Sequence, residues 1–159
     1  MYTGESEHSI DDKGRIIVPA KFRDDLGDAC FLTRGFNNCI NLYAKPEFDA
    51  LMERLKDPTG MDRKAIMLQR RFAATPVSID NQGRLSISGP LREYAGINVE
   101  KSDQRSVVLF GTDDRIEIWA KDRWDAYNKE VTDDDIADAF EVVQSRKAIN
   151  SPVRSESSV

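Results

Sequence analysis

The sequence predicts an α+β fold, mostly β, made of two tandem copies of one small unit with short helices and a C-terminal helix. The first observation behind this is a repeat. Residues 8–27 and 77–96 align at an offset of 69, with Ser9/Ser78, Ile10/Ile79, Asp11/Asp80, Gly14/Gly83, Arg15/Arg84, Arg23/Arg92 and Gly27/Gly96 identical. The second is that the repeat continues at an offset of 76, through Ile40/Ile116, Ala44/Ala120, Lys45/Lys121, Asp49/Asp125 and Ala50/Ala126. The third is that the apolar runs are short and bounded by turn residues, with short helical stripes between them.

Ser6 to Ile10 alternates weakly and meets Asp11-Asp12-Lys13-Gly14, a strand entering a turn. A three-residue loop of 12, 13 and 14 suits a type I turn closed by a left-handed glycine, a G1 bulge. Asp11 and Arg15 then become cross-strand neighbours. Ile16-Ile17-Val18 leaves the turn as a strand, and Pro19 ends it because proline cannot donate to a ladder. Ala20–Leu26 reads as a short helix stopped by Gly27.

Cys30–Thr33 and Ile40–Tyr43 read as strands around the turn-rich segment 34–38. Ala44-Lys45-Pro46 opens a helix whose stripe is Phe48, Leu51, Met52 and Leu55. Asp57-Pro58-Thr59-Gly60 breaks it, and Met61, Ala65, Leu68 and Phe72 mark a helix joining the two copies. The second copy repeats the order. Its strands are Val107–Phe110 and Ile116–Trp119 around the loop Gly111–Arg115, and a helix starts near Lys121. A last helix, about 133–148, is capped by Thr132 with Asp135 three residues on, and Ile136, Ala139, Phe140 and Val143 form its apolar stripe. Residues 150–159 read as a disordered tail.

A chain of 159 residues with 40% apolar side chains can bury a core as one domain or two fused half-domains. No membrane span or secretory signal is expected. Cys30 and Cys39 are too few for a disulfide scaffold or a zinc cage. They are expected as free, buried thiols that could face each other across a hairpin. The net charge of −5 is unlike a generic nucleic-acid binder. It is unevenly spread, however, with Asp133, Asp134, Asp135, Asp138 and Glu141 forming an acidic block.

An Asp–Arg pair at a tight turn can simply pin that turn, worth about 0–1 kcal/mol on a surface. Two such turns at equivalent places, each ending in arginine, suggest more. Arginine's planar fork suits phosphate or the O6/N7 edge of guanine, and a carboxylate one rung away holds it still. A turn carrying Lys13 and Arg15, or Gln82 and Arg84, can enter a major groove as a two-stranded ribbon.

These residues resemble the MraZ family. The resemblance covers about residues 1–130. It is carried by Gly4, His8, Asp11 with Lys13-Gly14-Arg15, Pro19–Arg23, Cys39–Tyr43, Asp80–Arg84, Leu91–Ala95 and Arg115–Trp119. It implies two AbrB-like swapped-hairpin half-barrels forming one pseudo-dimeric unit. The domains would be 5–47 and 76–119, with connecting helices at 48–75 and C-terminal helices at 120–149. It further implies a DNA-binding transcriptional regulator, cytoplasmic and nucleoid-associated. Such proteins assemble into closed homo-oligomeric rings that read short G-rich direct repeats upstream of their own cell-division and cell-wall operon, here as a repressor. Carried over, the DNA-facing residues are Arg15 and Arg84, supported by Asp11, Asp80, Gly14 and Gly83, with Lys13 and Lys21 on phosphate. No cofactor, metal, membrane or small-molecule substrate is implied. The second turn is the less basic, with Asn81-Gln82 where the first has Asp12-Lys13, so Arg15 is expected to carry more of the contact.

The expected subunit architecture has a physical reason. Half of this design leaves strand edges that one short helix cannot cover, and the second copy covers them. Many subunits in a ring then add weak contacts through effective concentration. The alternative from another class is a structural or protein-interaction ring or barrel without DNA. An enzyme is not expected, because exposed turn carboxylates tied to arginine make poor acid–base groups. His8 is expected at a strand edge or in the core, and Trp119 and Trp124 in the core or a subunit interface. Arg63, Lys64, Arg70 and Arg71 are expected to form a solvated or interface face.

Overall fold

The computed structural model describes residues 1–150. Residues 1–124 form one compact unit, and a second begins at Asp125. Among the described residues are six α-helices, a six-stranded antiparallel sheet and a two-stranded antiparallel ribbon.

In the first unit β1 (Tyr2–Ser9) runs to the first turn, and β2 (Arg15–Ile17) leaves it. Then follow α1 (Ala20–Leu26), β3 (Cys30–Arg34), β4 (Ile40–Ala44), α2 (Lys45–Arg54) and α3 (Arg63–Arg71). The second copy supplies β5 (Thr75–Val77), β6 (Arg84–Ser86), α4 (Gly89–Ala95), β7 (Ser106–Asp113) and β8 (Arg115–Ala120). Helix α5 (Lys121–Glu130) follows.

The helix limits obey local chemistry. Gly96 closes α4 at φ 69°, ψ 28°, the left-handed conformation that costs a Cβ-bearing residue about 1–2 kcal/mol, and Gly27 closes α1 at φ 68°, ψ −164°, a region essentially reserved for glycine. Ser88 precedes α4 at φ −62°, close to the −55° of Pro19 before α1. The Pro/Ser difference between the copies therefore leaves the backbone path alike. Asp62 caps α3 by accepting from the N–H groups of Lys64 and Ala65.

The large sheet has the order β1-β7-β8-β4-β3-β5 and is open, with β1 and β5 as its edges. The copies trade strands. β1 of the first lies on β7 of the second, from Tyr2↔Asp113 to Ser9↔Ser106, and β5 of the second lies on β3 of the first. The ribbon joins β2 and β6 in the register Arg15↔Ser86, Ile16↔Leu85, Ile17↔Arg84. The hairpin expected around Asp11 thus closes its turn but does not continue as a ladder. Its incoming arm leaves for the other copy, beginning with Ile10 N–H donating to Arg105 C=O.

The change of repeat offset has a visible cause. Gly27 is followed by β3 at Cys30, whereas Gly96 is followed by β7 only at Ser106, and the intervening chain holds a short 3-10 turn at Ser102–Gln104. The loop expected at Gly111–Arg115 is corrected as well. β7 continues to Asp113 and β8 starts at Arg115, with Asp113 at φ 44° making the tight reversal.

The largest of three apolar clusters draws on both the sheet and the ribbon. The sheet contributes Leu32, Ile40, Leu42, Leu109, Ile116 and Ile118 to it, each at most 1% exposed. Ile16 and Leu85 from the ribbon join the same core, as do Val18 and Ile87. Cys30 and Cys39 are free and buried as expected, but they do not face each other. Cys30 pairs with Ala44, while Cys39 lies at the other end of that hairpin and packs with Val108 and Trp119.

The second unit holds α6 (Asp133–Asn150). Thr132 Oγ1 accepts from Asp135 N–H at 3.1 Å and Asp135 Oδ2 accepts from Thr132 N–H at 3.0 Å, the reciprocal cap that the sequence predicts. Ile136, Phe140 and Val143 are exposed. Of the expected tail, only Asn150 lies within the described residues, as the last residue of α6. Among the described residues no helix is long and apolar enough to cross a membrane.

Candidate nucleic-acid interface

Each Asp-x-x-Gly-Arg turn is built by the aspartate. Asp11 Oδ1 accepts from the N–H groups of Lys13 and Arg15 at 2.9 and 2.8 Å, and its Oδ2 accepts from Arg15 Nε at 2.8 Å. Asp80 does the same with Gln82 N–H and Arg84 N–H, both at 2.9 Å, and with Arg84 Nε at 2.7 Å. The main chain closes both loops, with Asp11 N–H donating to Arg15 C=O and Asp80 N–H to Arg84 C=O. Gly14 at φ 79° and Gly83 at φ 77° supply the left-handed residue.

The electrostatics follow. Slight burial pushes the Asp11 carboxyl up, but the N–H and guanidinium of Arg15 and the N–H of Lys13 outweigh it and hold Asp11 below its ordinary value. Asp80 is held low chiefly by the N–H and guanidinium of Arg84. Because each carboxylate takes the Nε of its arginine, the terminal nitrogens remain. Those of Arg15 and Arg84 have no hydrogen-bond partner among the described residues.

Register decides which side they share. Strand alternation puts Ile16 and Leu85 inward and Arg15, Ile17, Arg84 and Ser86 together on the outer face of the ribbon. Arg15 and Arg84 occupy its diagonal corners, about 7–8 Å apart by sheet geometry. Ile17, 45% exposed, lies directly opposite Arg84 and two residues along the strand from Arg15.

Two more arginines stand here that were not expected from the sequence. The Arg92 guanidinium occupies the space where Gly14 would carry a Cβ, and the Arg23 guanidinium does the same at Gly83. Arg23 Nε also donates to Val18 C=O at 2.9 Å. The glycine carbonyls complete this exchange, since Val18 N–H donates to Gly83 C=O and Ile87 N–H to Gly14 C=O, both at 2.9 Å. The signal was present in the identity Arg23/Arg92 of the repeat.

Lys13 lies in the first turn and is exposed. Lys21 goes elsewhere: its Nζ lies over the Phe22 ring, 4.8 Å from the centroid, and beside Gly4 of β1. His8 sits half-buried on edge strand β1, within hydrogen-bond distance of Ser6 Oγ at 2.8 Å. Burial, then the Lys21 charge, lowers its pKa. Trp119 is buried and packs against the half-buried Trp124, with ring centroids 5.3 Å apart. Of the connecting-helix cations, Arg71 Nη1 donates to Tyr94 Oη at 3.0 Å, and Arg63, Lys64 and Arg70 are exposed.

The fold and these turns define a duplicated α+β module that displays two braced arginines on one face of a short ribbon. Comparison with known proteins agrees with the duplication. A family model described as "MraZ protein, putative antitoxin-like" matches twice, over residues 1–71 and 72–147. The chain belongs to the MraZ family. It is 40% identical over 132 residues to a protein of Natranaerobius thermophilus named transcriptional regulator MraZ, covering 82% of this chain and 88% of that one. Proteins of the same name from Alkaliphilus metalliredigens and Ligilactobacillus salivarius are 39% and 42% identical, covering 89% and 87% of this chain and 97% and 95% of theirs.

Proposed function

We propose that this protein is a sequence-specific DNA-binding transcriptional regulator with no chemistry of its own. One observation carries the reading: Arg15 and Arg84 share the outer face of the β2–β6 ribbon, each held through Nε by an aspartate, with its terminal nitrogens left for a ligand. A two-stranded ribbon fits the major groove, and a guanidinium fork fits guanine O6/N7 or a phosphate. Fixing the arginine before binding lowers the entropy cost of using it. The names of its relatives support the same role.

In this reading the strand exchange makes the chain an internal pseudo-dimer of two swapped-hairpin domains, 5–47 and 76–119. Arg15 leads, Arg84 assists and Lys13 neutralises phosphate. Arg23 and Arg92 buttress the turns, and the placement of Lys21 makes it the weakest of the expected contacts. The negative net charge does not oppose this. Residues 1–124 hold twenty acidic and nineteen basic side chains, while residues 125–159 hold eight and four. The protein would act as a repressor of its own cell-division and cell-wall operon, as a closed ring whose subunits each engage one short G-rich direct repeat. Footprinting on the DNA upstream of its own gene tests this. Evenly phased, protected short repeats are expected, and uniform protection of any duplex would refute it.

A further inference from the structure

A cavity of about 340 Å³ opens beside the sheet within the first unit, away from the two turns in sequence and lined by β4, α2, α3 and the start of β8. That volume lies within the range of small-molecule sites. Its walls are apolar, formed by Leu51 of α2, Leu68 of α3, and Leu55 and Phe72, the residues that follow those two helices.

Its polar groups are unusual for an interior. Asn41 and Tyr43 project from the same face of β4, two residues apart, and each is 3% exposed. Neither the Tyr43 hydroxyl nor the Asn41 amide nitrogen has a hydrogen-bond partner among the described residues. Arg115 spends its terminal nitrogens on Asp114 and Glu117, at 2.9 and 3.0 Å, and its Nε is buried without an acceptor. Of these three donors only the Arg115 Nε is wholly shut off from solvent, where polar groups are seldom left unpaired, while Asn41 and Tyr43 line the cavity itself. Arg54 lines the cavity too, 3.9 Å from Asp114 and largely exposed.

All three orphaned groups can donate, and burial pushes the Tyr43 hydroxyl up to about 12, so it keeps its proton. The nearby carboxylates of Asp114 and Glu117 are already committed to Arg115. What is missing is an acceptor, and what surrounds it is hydrocarbon. We propose that this cavity is a binding site for a small organic carboxylate with an apolar body. The carboxylate would take the donors of Tyr43 and Asn41, and the body would lie between α2 and α3. The site is separate from the proposed DNA face and does not depend on that role.

The test uses the full chain with phenylacetate and hexanoate as probes and 2-phenylethanol and hexanol as their uncharged counterparts. Saturation-transfer NMR and titration of backbone amides follow binding. The carboxylates are expected to bind saturably, roughly tenfold more tightly than the alcohols, as for a hydrogen bond to a charged group. Amide shifts should centre on residues 41–43 and 51–72. Leu68→Trp, which fills the cavity, should abolish binding, and Tyr43→Phe should weaken it severalfold, with thermal melting confirming that both variants fold. No saturable binding by either carboxylate, equal binding of acid and alcohol, or binding unchanged in both variants would overturn the proposal.

Discussion

Arg92 of the second copy lies over Gly14 of the first. Its guanidinium fills the space that a side chain at Gly14 would need, and Arg23 stands in the same relation to Gly83. Each turn is therefore shaped by its own aspartate and covered by the other copy's helix. The duplication is what makes the site, since neither half holds both the turn and its cover.

Substitution of that glycine should be costly twice over. Gly14→Ala forces a side chain into φ 79° and displaces Arg92. The backbone conformation alone costs about 1–2 kcal/mol. A lowered midpoint in urea unfolding is expected, with a similar loss for Gly83→Ala. Gly60, at φ 67° with open space around it, should lose only the conformational part on mutation to alanine.

The aspartates give a pH signature. Both carboxyls are held below the ordinary value of 3.8 in the folded chain. Their contribution is therefore fully present above the unfolded value and is lost as pH falls through the folded one. Carboxyl-detected NMR titration should give midpoints below 3.8 for Asp11 and Asp80. Asp11→Asn should abolish the first of these signals and leave the turn less firmly held at neutral pH.

Both thiols should be inert. Burial, then the Glu117 charge, pushes Cys39 up to about 12, and burial raises Cys30 as well. Because the thiolate is the reactive form, an aromatic disulfide reagent at about pH 8 should label neither until the chain unfolds. Labelling that keeps pace with the reagent in the native protein would show the hairpin at 30–44 to be loosely packed.

The acidic helix depends on its cap. Thr132→Ala removes the hydroxyl that accepts from Asp135 N–H. A loss of about 1 kcal/mol in the stability of α6 is expected, read as earlier exchange of its first-turn amides.

Much of this was legible in the sequence because it is local. The limits of α1, set by Pro19 and Gly27, and the reciprocal cap of Thr132 and Asp135 depend only on neighbouring residues. So does the left-handed glycine of each turn. Strand partners are another matter. Nothing in Tyr2–Ser9 specifies β7 as its mate, because alternation fixes a face and not a neighbour. The buttresses Arg23 and Arg92 were visible as a repeated identity, but their contact with the opposite turn exists only once the copies interleave. Lys21, which the family resemblance implies as a phosphate contact, lies over Phe22 and beside Gly4 of β1, a placement that its neighbours in sequence do not specify.

The most direct test of the central claim is fluorescence anisotropy with a duplex from the protein's own upstream region, at several salt concentrations, against a scrambled duplex. Wild-type protein should prefer the native sequence. Arg15→Ala should lose that preference, by about 1–3 kcal/mol if the arginine reads a guanine, and Arg84→Ala should weaken it less. Equal affinity for both duplexes, or the same affinity in wild type and both variants, would contradict it.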